Sequence, residues 1–298
     1  MMKKIVLVMT LAFSFVNVAV QAEELNGKIS VGGVISGAMQ CQNVSDIPGD
    51  NNTCAGGVPF QPEVSIRPTD SDEVFFKLGF AAGTGLNSSS PLAVPTWAAD
   101  LEDDVRNING RNRDYLLAAW YKHDFAFGDS RNLGVTFGII DSTDYLDENA
   151  YANDEYTQFM NPALSNGPNV FLPSYDVGTA LEWNSGQWSL RDVLMNIGAN
   201  DDGNNFNFYG LQAGYKIDST MGEGHYRLVV AGVQIDAKGG LVHHSAGRDL
   251  AQIEPEQTLP LAAAQRAEPP GRQMVDPRQP EGIPYGSAVL GAYRCKGA

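Results

Sequence analysis

The chain has 298 residues, and its 35 Asp and Glu against 20 Lys and Arg give a formal net charge of −15 at pH 7. This acidity argues against nucleic acid as a partner, because the phosphates of nucleic acid would be repelled. An acidic composition is also common among exported proteins, so the charge excludes one class of partner without naming another.

The N-terminus has the pattern of a secretory signal peptide. Two lysines at positions 3 and 4 precede an apolar run over 5–20, and the sequence VQA at 20–22 fits a signal peptidase site. We predict cleavage after Ala22, so that residues 1–22 are a leader and the mature protein is exported. The apolar run is too short for a membrane-spanning helix, and no later segment reaches about 18 apolar residues. A form of this chain that spans a membrane would therefore be a β-barrel.

Two of the three cysteines flank a polar segment. Cys41 and Cys54 lie on either side of QNVSDIPGDNNT, and an exported protein folds in an oxidising compartment. We predict a disulfide between them, because no histidine lies nearby to complete a metal site. Cys295 is left without a partner.

Period-two alternation dominates the chain from residue 25 to residue 236. In the segment 132–141, Leu, Val, Phe and Ile at every second position from 133 are separated by Gly, Thr and Gly. Such alternation is typical of half-buried strands rather than helices. We predict nine strands, near 26–38, 61–67, 73–81, 114–125, 132–141, 174–185, 187–199, 205–218 and 225–236.

The predicted connections alternate in length. Short turns at 68–72, 126–131, 185–186 and 219–224 alternate with longer loops at 39–60, 82–113, 142–173 and 200–204. Short turns at one end and long loops at the other are typical of an outer-membrane barrel. The alternative is a soluble β-sandwich whose outer face is merely polar.

Alternation also predicts which side chains share a face of the barrel. The lipid side would carry aromatic residues toward the strand ends, namely Tyr115, Tyr121, Tyr175, Trp183 and Tyr215. The opposite side would form the pore wall with Lys77, Trp120, Lys122, Glu182 and Arg227. Arg191 has the parity of three apolar residues at 193, 195 and 197, so it would face lipid unless a bulge intervenes or it lies at the interface.

A long loop follows the fifth predicted strand. The stretch 138–159 is rich in acids and aromatic rings and contains no Lys or Arg. Rings cover the apolar faces of sugars while carboxylates and amides accept hydrogen bonds from hydroxyls. We predict that this loop folds inward and narrows the pore, although single residues could instead cap turns or anchor the loop. The predicted constriction residues are Asp144, Tyr145, Asp147, Glu148, Asn149, Tyr151, Asn153, Asp154, Glu155 and Phe159.

Little in the sequence supports catalysis. The four histidines are scattered, and there is no nucleophile elbow, zinc-binding helix or phosphate-binding Gly loop. The adjacent acids Asp147 and Glu148 could imitate a glycosidase pair, but solvated acids are far more common. The acidic run at 201–204 could bind Ca²⁺ weakly, without a spacing that defines a site. We therefore predict no enzyme, no cofactor and no metal.

The chain changes character near residue 232. Residues 233–298 contain seven of the 16 prolines, and proline removes hydrogen bonds from a strand ladder. We predict a disordered or non-native tail there, after a partial barrel domain over 23–232. Nine strands cannot close an even-numbered barrel, and no terminal aromatic strand follows. The sequence is therefore expected to be truncated or frameshifted after about residue 232, which leaves Cys295 without a role.

Several segments resemble the carbohydrate-selective porins of the OprB type. These are FFKLGFAAGTGLN at 75–87, LLAAWYKHDF at 116–125, LGVTFGIIDSTDYLDENAYANDEYTQFMNPAL at 133–164, PSYDVGTALEW at 173–183, MNIGANDDGNNFNFYGLQAGY at 195–215 and GEGHYRL at 222–228. The resemblance implies a sixteen-stranded antiparallel transmembrane β-barrel in the bacterial outer membrane, with an inward loop and a pore for glucose and related sugars. The expected function is facilitated diffusion of carbohydrates, with small sugars and outer-membrane lipid as partners. The alternative is a soluble exported lectin-like β-sandwich, and neither the preferred sugar nor the oligomeric state follows from the sequence.

Overall fold

The fold is described from a computed structural model. It describes residues 8–24, 27–44, 53–87, 90, 96–128, 130–148, 152–161, 164–165, 172–199, 204–219, 222–235 and 289–296. The strands are β1 (Val8–Glu24), β2 (Ile29–Val44), β3 (Thr53–Thr69), β4 (Asp72–Leu78), β5 (Phe80–Ala82), β6 (Leu116–Ala126), β7 (Arg131–Ile140), β8 (Asp176–Ser185), β9 (Trp188–Ala199), β10 (Asn204–Ser219), β11 (Gly222–Ile235) and β12 (Val289–Lys296). Two short 3-10 helices, η1 (Ile108–Gly110) and η2 (Ser142–Asp144), lie in the loops.

The strands form one antiparallel sheet in which neighbours along the chain pair with each other. The order is β1-β2-β3-β4-β6-β7-β8-β9-β10-β11-β12, and β5 pairs with β3 outside this path. The predicted all-β antiparallel fold is confirmed. Among the described residues the sheet stays open, with β1 and β12 at its two ends, so its strand pairing does not display a closed barrel.

All nine predicted strands are present, as β2 to β4 and β6 to β11. Long connections precede β6 and β8, and short turns precede β4, β9 and β11, as predicted, whereas the connection before β10 is no longer than the short turn before β7. The bounds of the first predicted loop, 39–60, are wrong, because β2 and β3 keep pairing within it as far as Gln42 and Thr53. Cys41 lies opposite Cys54 in that ladder and forms a disulfide with it, which matches the predicted pairing.

The two ends of the chain also contribute strands. β1 lies over the predicted leader and pairs with β2, so cleavage after Ala22 would leave β2 at the edge of the sheet. β11 continues to Ile235, and β12 pairs with it within the predicted tail. Residues 236–288 and 297–298 of the predicted tail lie outside the described part of the chain, and the disordered or non-native character of the tail stays a prediction.

One face of the sheet, here called the outer face, exposes large apolar side chains. In the register, Leu181 and Leu211 flank the same position of β9, and both are exposed, as is the nearby Leu194. Asp192 occupies that position between the two leucines and is a charged residue on this face. A large exposed apolar face is unusual for a monomeric soluble protein.

Aromatic side chains lie toward both ends of the outer face. Near the short turns, the rings of Trp188 and Tyr215 are 4.6 Å apart, and Trp183 is exposed. Toward the long loops, the rings of Phe80 and Tyr115 are 5.3 Å apart. Trp183 follows the predicted parity on β8, and the described apolar face therefore has an aromatic border at each end. In the part of the chain that the structure describes, no helix is both long and apolar enough to cross a membrane.

The opposite face, here called the inner face, is covered by the long loops. Tyr145 and Leu146 of the loop after β7 pack on Val193, Met195 and other buried residues of β8 to β11. The apolar side chains at 193, 195 and 197 therefore belong to the inner face. Arg191 shares this face, with its Nε 3.7 Å from Glu182 Oε1. The prediction that Arg191 faces lipid is wrong, because the inner face has an apolar patch that a loop covers.

Tyr175 also differs from its predicted place on the lipid side. Its backbone has φ 59°, a left-handed conformation that is uncommon for a bulky residue. Alternation is interrupted there, one residue before β8 begins. The ring turns to the inner face, where its hydroxyl donates to Asp100 Oδ2 over 2.8 Å.

Candidate functional site

Two adjoining cavities lie between the inner face and the loops. The upper cavity, of about 520 Å³, is lined by β2, β3, β4 and the loops before β6 and β8. The lower cavity, of about 320 Å³, extends toward the short turns along β4, β6 and β8. Glu63, Lys77 and Asp144 line both cavities. A solute that moves along the inner face would pass between these three side chains.

Lys77 lies at the junction of the cavities and is surrounded by acids. It pairs with Glu63 on the neighbouring strand, with Nζ 3.5 Å from Oε1. Asp100, Asp141 and Asp144 line the same upper cavity, and their charges act on Lys77. The junction thus combines one strong hydrogen-bond donor with several acceptors.

Asp100 ties three parts of the structure together. Its carboxylate accepts hydrogen bonds from Gln61 of β3, from Tyr175 over 2.8 Å and from Tyr156 over 3.4 Å. Asp100 belongs to the loop before β6, whereas the two tyrosines belong to the loop before β8. A single carboxylate therefore fixes both loops against the strand that carries Gln61.

Replacement of Asp100 by alanine is expected to destabilise the protein by about 2–4 kcal/mol, because buried donors would lose their acceptor. The free energy of unfolding in urea measures this change, and limited proteolysis should show faster cleavage within 83–115 or 141–175. Asp103→Ala is the matched control, because Asp103 is exposed and lines neither cavity. Equal stability of the two variants would contradict the role of Asp100.

Asp144 and Glu155 of the upper cavity have raised pKa values. Enclosure by surrounding protein and the charge of Asp141 raise the pKa of Asp144 to about 7. Asp144 is exposed and lines the cavity. Burial and the charge of Asp100 raise the pKa of Glu155 to about 8. The charge of this cavity therefore changes near neutral pH.

The lower cavity is lined by two aromatic rings that lie between the ion pairs Glu63–Lys77 and Lys122–Glu182. The rings of Phe75 and Trp120 stack with centroids 4.9 Å apart. Below them, Lys122 Nζ lies 2.6 Å from Glu182 Oε2, and Arg191 approaches the same carboxylate. Of the predicted pore-wall residues, Lys77, Trp120, Lys122 and Glu182 share this cavity.

Arg227, the remaining predicted wall residue, holds a loop in place. Its Nη1 donates to the backbone carbonyl oxygen of Glu148. The neighbouring Asp147 is buried, has φ 57° and donates its backbone N–H to Gln212 Oε1 over 2.7 Å. The backbone N–H of Asp147 and the backbone carbonyl of Glu148 thus anchor the loop to the side chains of Gln212 on β10 and Arg227 on β11.

The structure separates the other predicted constriction residues into two groups. Asp144, Asn153, Asp154 and Glu155 line the upper cavity, and Tyr145 is buried in the apolar patch while its edge reaches the lower cavity.

Asp154 also caps a turn. Its carboxylate accepts from the backbone N–H of Tyr156 over 2.6 Å and of Thr157 over 3.2 Å. Phe159 is exposed and lines neither cavity. Asn149 and Tyr151 lie outside the described residues. The role of this loop as a constriction stays a prediction.

Sequence reasoning missed several residues of the upper cavity. Gln61 and Glu63 continue a polar period-two pattern on β3 that could have placed them on the inner face. Asp100 had no such signal, because it lies in a loop without a period. Tyr175 was missed because a single left-handed residue reverses its direction. Within the described residues, no group of three His, Cys, Asp or Glu has the geometry of a metal site.

Comparison with known proteins finds one relative of unassigned function. A protein of Aquifex aeolicus (strain VF5) with the name "Uncharacterized protein" is 43% identical over 95 residues. The match covers 32% of this chain and 29% of that relative. No model of a known protein family matches the chain, and no solved structure matches it. A relative without a known activity carries no function over to this chain.

Proposed function

We propose that the chain forms part of the wall of an outer-membrane channel through which small neutral carbohydrates diffuse. The observation that carries this proposal is the distribution of polarity across the sheet. Large apolar side chains are exposed on the outer face, whereas Lys77, Lys122 and Glu182 line cavities on the inner face. Lipid outside and water inside is the environment that favours this arrangement.

The position of the loops supports the same proposal. Both long loops cover the inner face, and the residues that they present narrow the space beside Lys77. The resemblance to carbohydrate-selective porins also implies a loop that folds inward into the pore. The proposal includes closure into a barrel by further strands, which would pair the edge strands β2 (after cleavage of the leader) and β12.

The chemistry of the cavities favours neutral polyhydroxylated solutes. Acceptors such as Glu63 and Asp144 lie close to donors such as Lys77, so a hydroxyl group can both donate and accept. The lower cavity also presents aromatic rings, which suit the apolar faces of sugars. Acids outnumber cations in its lining, with Glu63, Glu73, Asp144 and Glu182 against Lys77 and Lys122, which disfavours anionic solutes.

Fractionation of cells that secrete the chain tests its location. We expect the protein in the outer membrane after washes with high salt and alkaline carbonate, with release by detergent alone. A soluble lectin-like sandwich would instead appear in the periplasmic or culture fraction. Recovery of folded protein in a soluble fraction would contradict the proposal.

Transport is tested with the detergent-purified chain reconstituted into liposomes. We expect swelling in glucose and slower swelling in a trisaccharide, because solute size limits passage through a narrow pore. Liposomes without protein, and liposomes with heat-unfolded protein, are the controls. A membrane-inserted chain that admits ions but not glucose would contradict the carbohydrate assignment.

A further inference from the structure

The segment 107–114, here called the asparagine clip, is a compact turn in the long loop before β6. Asn107, Asn109 and Asn112 all have left-handed backbones, with φ of 47°, 52° and 52°. Asparagine enters this conformation more readily than most residues. Asn107 Oδ1 accepts from the backbone N–H of Asn112 over 2.8 Å, and Asp114 Oδ1 accepts from the backbone N–H of Asn107 over the same distance. Contacts within the clip therefore help to fix its shape.

Arg111 fastens the asparagine clip to the ends of β8 and β9 that face the long loops. Its Nε lies 3.1 Å from Oδ2 of Asp176, whose side chain is almost completely buried. Its Nη2 donates to the backbone oxygen of Asn196 over 3.0 Å. Gly198 allows this close approach, because a Cβ there would lie 2.2 Å from the backbone oxygen of Asn109. The clip therefore has a fixed position beside the point at which the chain enters β8.

Two side chains of the asparagine clip hold the backbone carbonyl of Tyr175. Asn109 Nδ2 donates to this carbonyl over 3.1 Å and to the carbonyl of Ser174 over 2.9 Å. Arg113 Nη2 donates to the Tyr175 carbonyl as well. Tyr175 has φ 59°, a conformation that a bulky residue keeps only where its surroundings impose it. Asn109 and Arg113 line neither cavity, so they act on the cavities through the backbone of Tyr175.

The left-handed backbone of Tyr175 decides on which face its ring lies. In an extended conformation the ring would point to the outer face, as the exposed Val177 does two residues later. Instead it lines the upper cavity. Its centroid is 6.0 Å from Lys77 Nζ, and its hydroxyl donates to Asp100. The ring thus occupies space beside the junction of the two cavities.

We propose that Asn109 and Arg113 are positioning residues that set the size limit of the channel. By holding the Tyr175 carbonyl they keep its ring in the upper cavity, where the ring narrows the passage beside Lys77. Without these donors the backbone at Tyr175 relaxes to the extended conformation, the ring moves toward the outer face, and the upper cavity widens. This inference rests on the proposed function, because it assigns the residues that control solute size in the same channel.

The test is the swelling of liposomes that contain the full chain, in glucose and in a trisaccharide. The ratio of the trisaccharide rate to the glucose rate measures size selectivity, whatever the amount of inserted protein. Asn109→Gly removes the side-chain donor and keeps the left-handed φ accessible. We expect it to raise the ratio about three- to fivefold, because a wider passage restricts the larger sugar less. A variant that only lost stability would lower both rates and leave their ratio unchanged.

Asn112→Gly is the matched control, because Asn112 has the same φ of 52° and an exposed side chain in the same clip. Its ratio should equal that of the wild type. Tyr175→Ala removes the ring itself and should raise the ratio as far as Asn109→Gly does. The double variant of Asn109→Gly and Tyr175→Ala should show no further rise, because both changes act on one ring.

Arg113→Met removes the second donor and takes the place of Asn109→Gly if that variant fails to fold. Wild-type glucose passage with an unchanged ratio in both donor variants would overturn the positioning role and leave the proposed function intact. An unchanged ratio in Tyr175→Ala would also contradict the positioning role, since the ring would then not limit passage. Additive rises in the double variant would show that Asn109 acts on another group instead. Absence of glucose passage in the wild type would overturn the proposed function and this inference together.

Discussion

Replacement of Gly138 by alanine is expected to lower the free energy of unfolding by about 3–5 kcal/mol, from backbone strain and overpacking together. Gly138 has φ 142°, and a Cβ added there would lie 2.3 Å from the backbone oxygen of Ala119 and 2.7 Å from Trp120 Cα. Backbone atoms cannot move aside as a flexible side chain can. The pairing of β6 with β7 would therefore have to shift, and Trp120 would shift with it.

Urea unfolding followed by circular dichroism and tryptophan emission measures this loss. Gly37→Ala is the matched control in another strand of the same sheet. A Cβ at Gly37 would meet Val58 Cγ2 at an ordinary 3.7 Å, so a change of less than about 1 kcal/mol is expected. Equal midpoints for the two variants would show that the close approach at Gly138 is not a constraint on the fold.

The second large effect concerns ion selectivity and pH. Enclosure by protein, together with the nearby acids Asp141 for Asp144 and Asp100 for Glu155, raises the pKa of Asp144 to about 7 and of Glu155 to about 8. Both carboxyls therefore bind protons at neutral pH more readily than free carboxyls, which titrate near pH 4. As the pH rises from 5 to 9, these groups ionise and add negative charge beside the junction. Preference for cations should rise over this range.

Reversal potentials in a salt gradient measure that preference. We expect the rise of cation preference with pH to have its midpoint above pH 6. Asp144→Asn should lower the cation preference at pH 9 by about two- to fivefold and flatten its dependence on pH. Asp70→Asn changes an exposed turn residue and should alter neither. A midpoint near pH 4 in the wild type would place Asp144 and Glu155 outside the ion path.

The raised pKa values of Asp144 and Glu155 also predict that the folded state loses stability as the pH rises. A carboxyl whose pKa is raised by folding stabilises the folded state below its unfolded pKa, near 4, and loses that contribution as the pH rises through its folded pKa. Asp144 and Glu155 should therefore make the wild type less stable at pH 9 than at pH 6, other groups being equal. In Asp144→Asn this difference should shrink.

The strands, and the residues that share each face of a strand, could be predicted from the sequence. Side chains alternate across a strand with a period of two, so residues such as Lys77, Lys122 and Glu182 could be placed on one face together with Trp120. Each of these lines the lower cavity. The cysteine pair could be predicted from export and spacing, although the loop between the two cysteines is shorter than predicted because the strands continue.

The directions of the loop side chains could not be predicted in the same way. A loop has no period, so the sequence could not distinguish Asp144, which lines the cavities, from Asp147, whose backbone anchors the loop to Gln212. Arg191 was placed on the wrong face because alternation shows which residues of a strand share a face. It does not show which of the two faces the loops cover. Its apolar neighbours on β9 pack under Tyr145 rather than against lipid.

The sequence by itself determined the all-β architecture, the positions of the two long loops before β6 and β8 and the composition of the wall beside Lys77. These follow from local regularities that repeat every two residues. Only the tertiary structure decided that Asp100 joins two loops to Gln61, that Tyr175 points inward and that Trp120 stacks on Phe75. Each of these depends on contacts between residues far apart in the chain, or on one backbone angle, and neither leaves a periodic signal in the sequence.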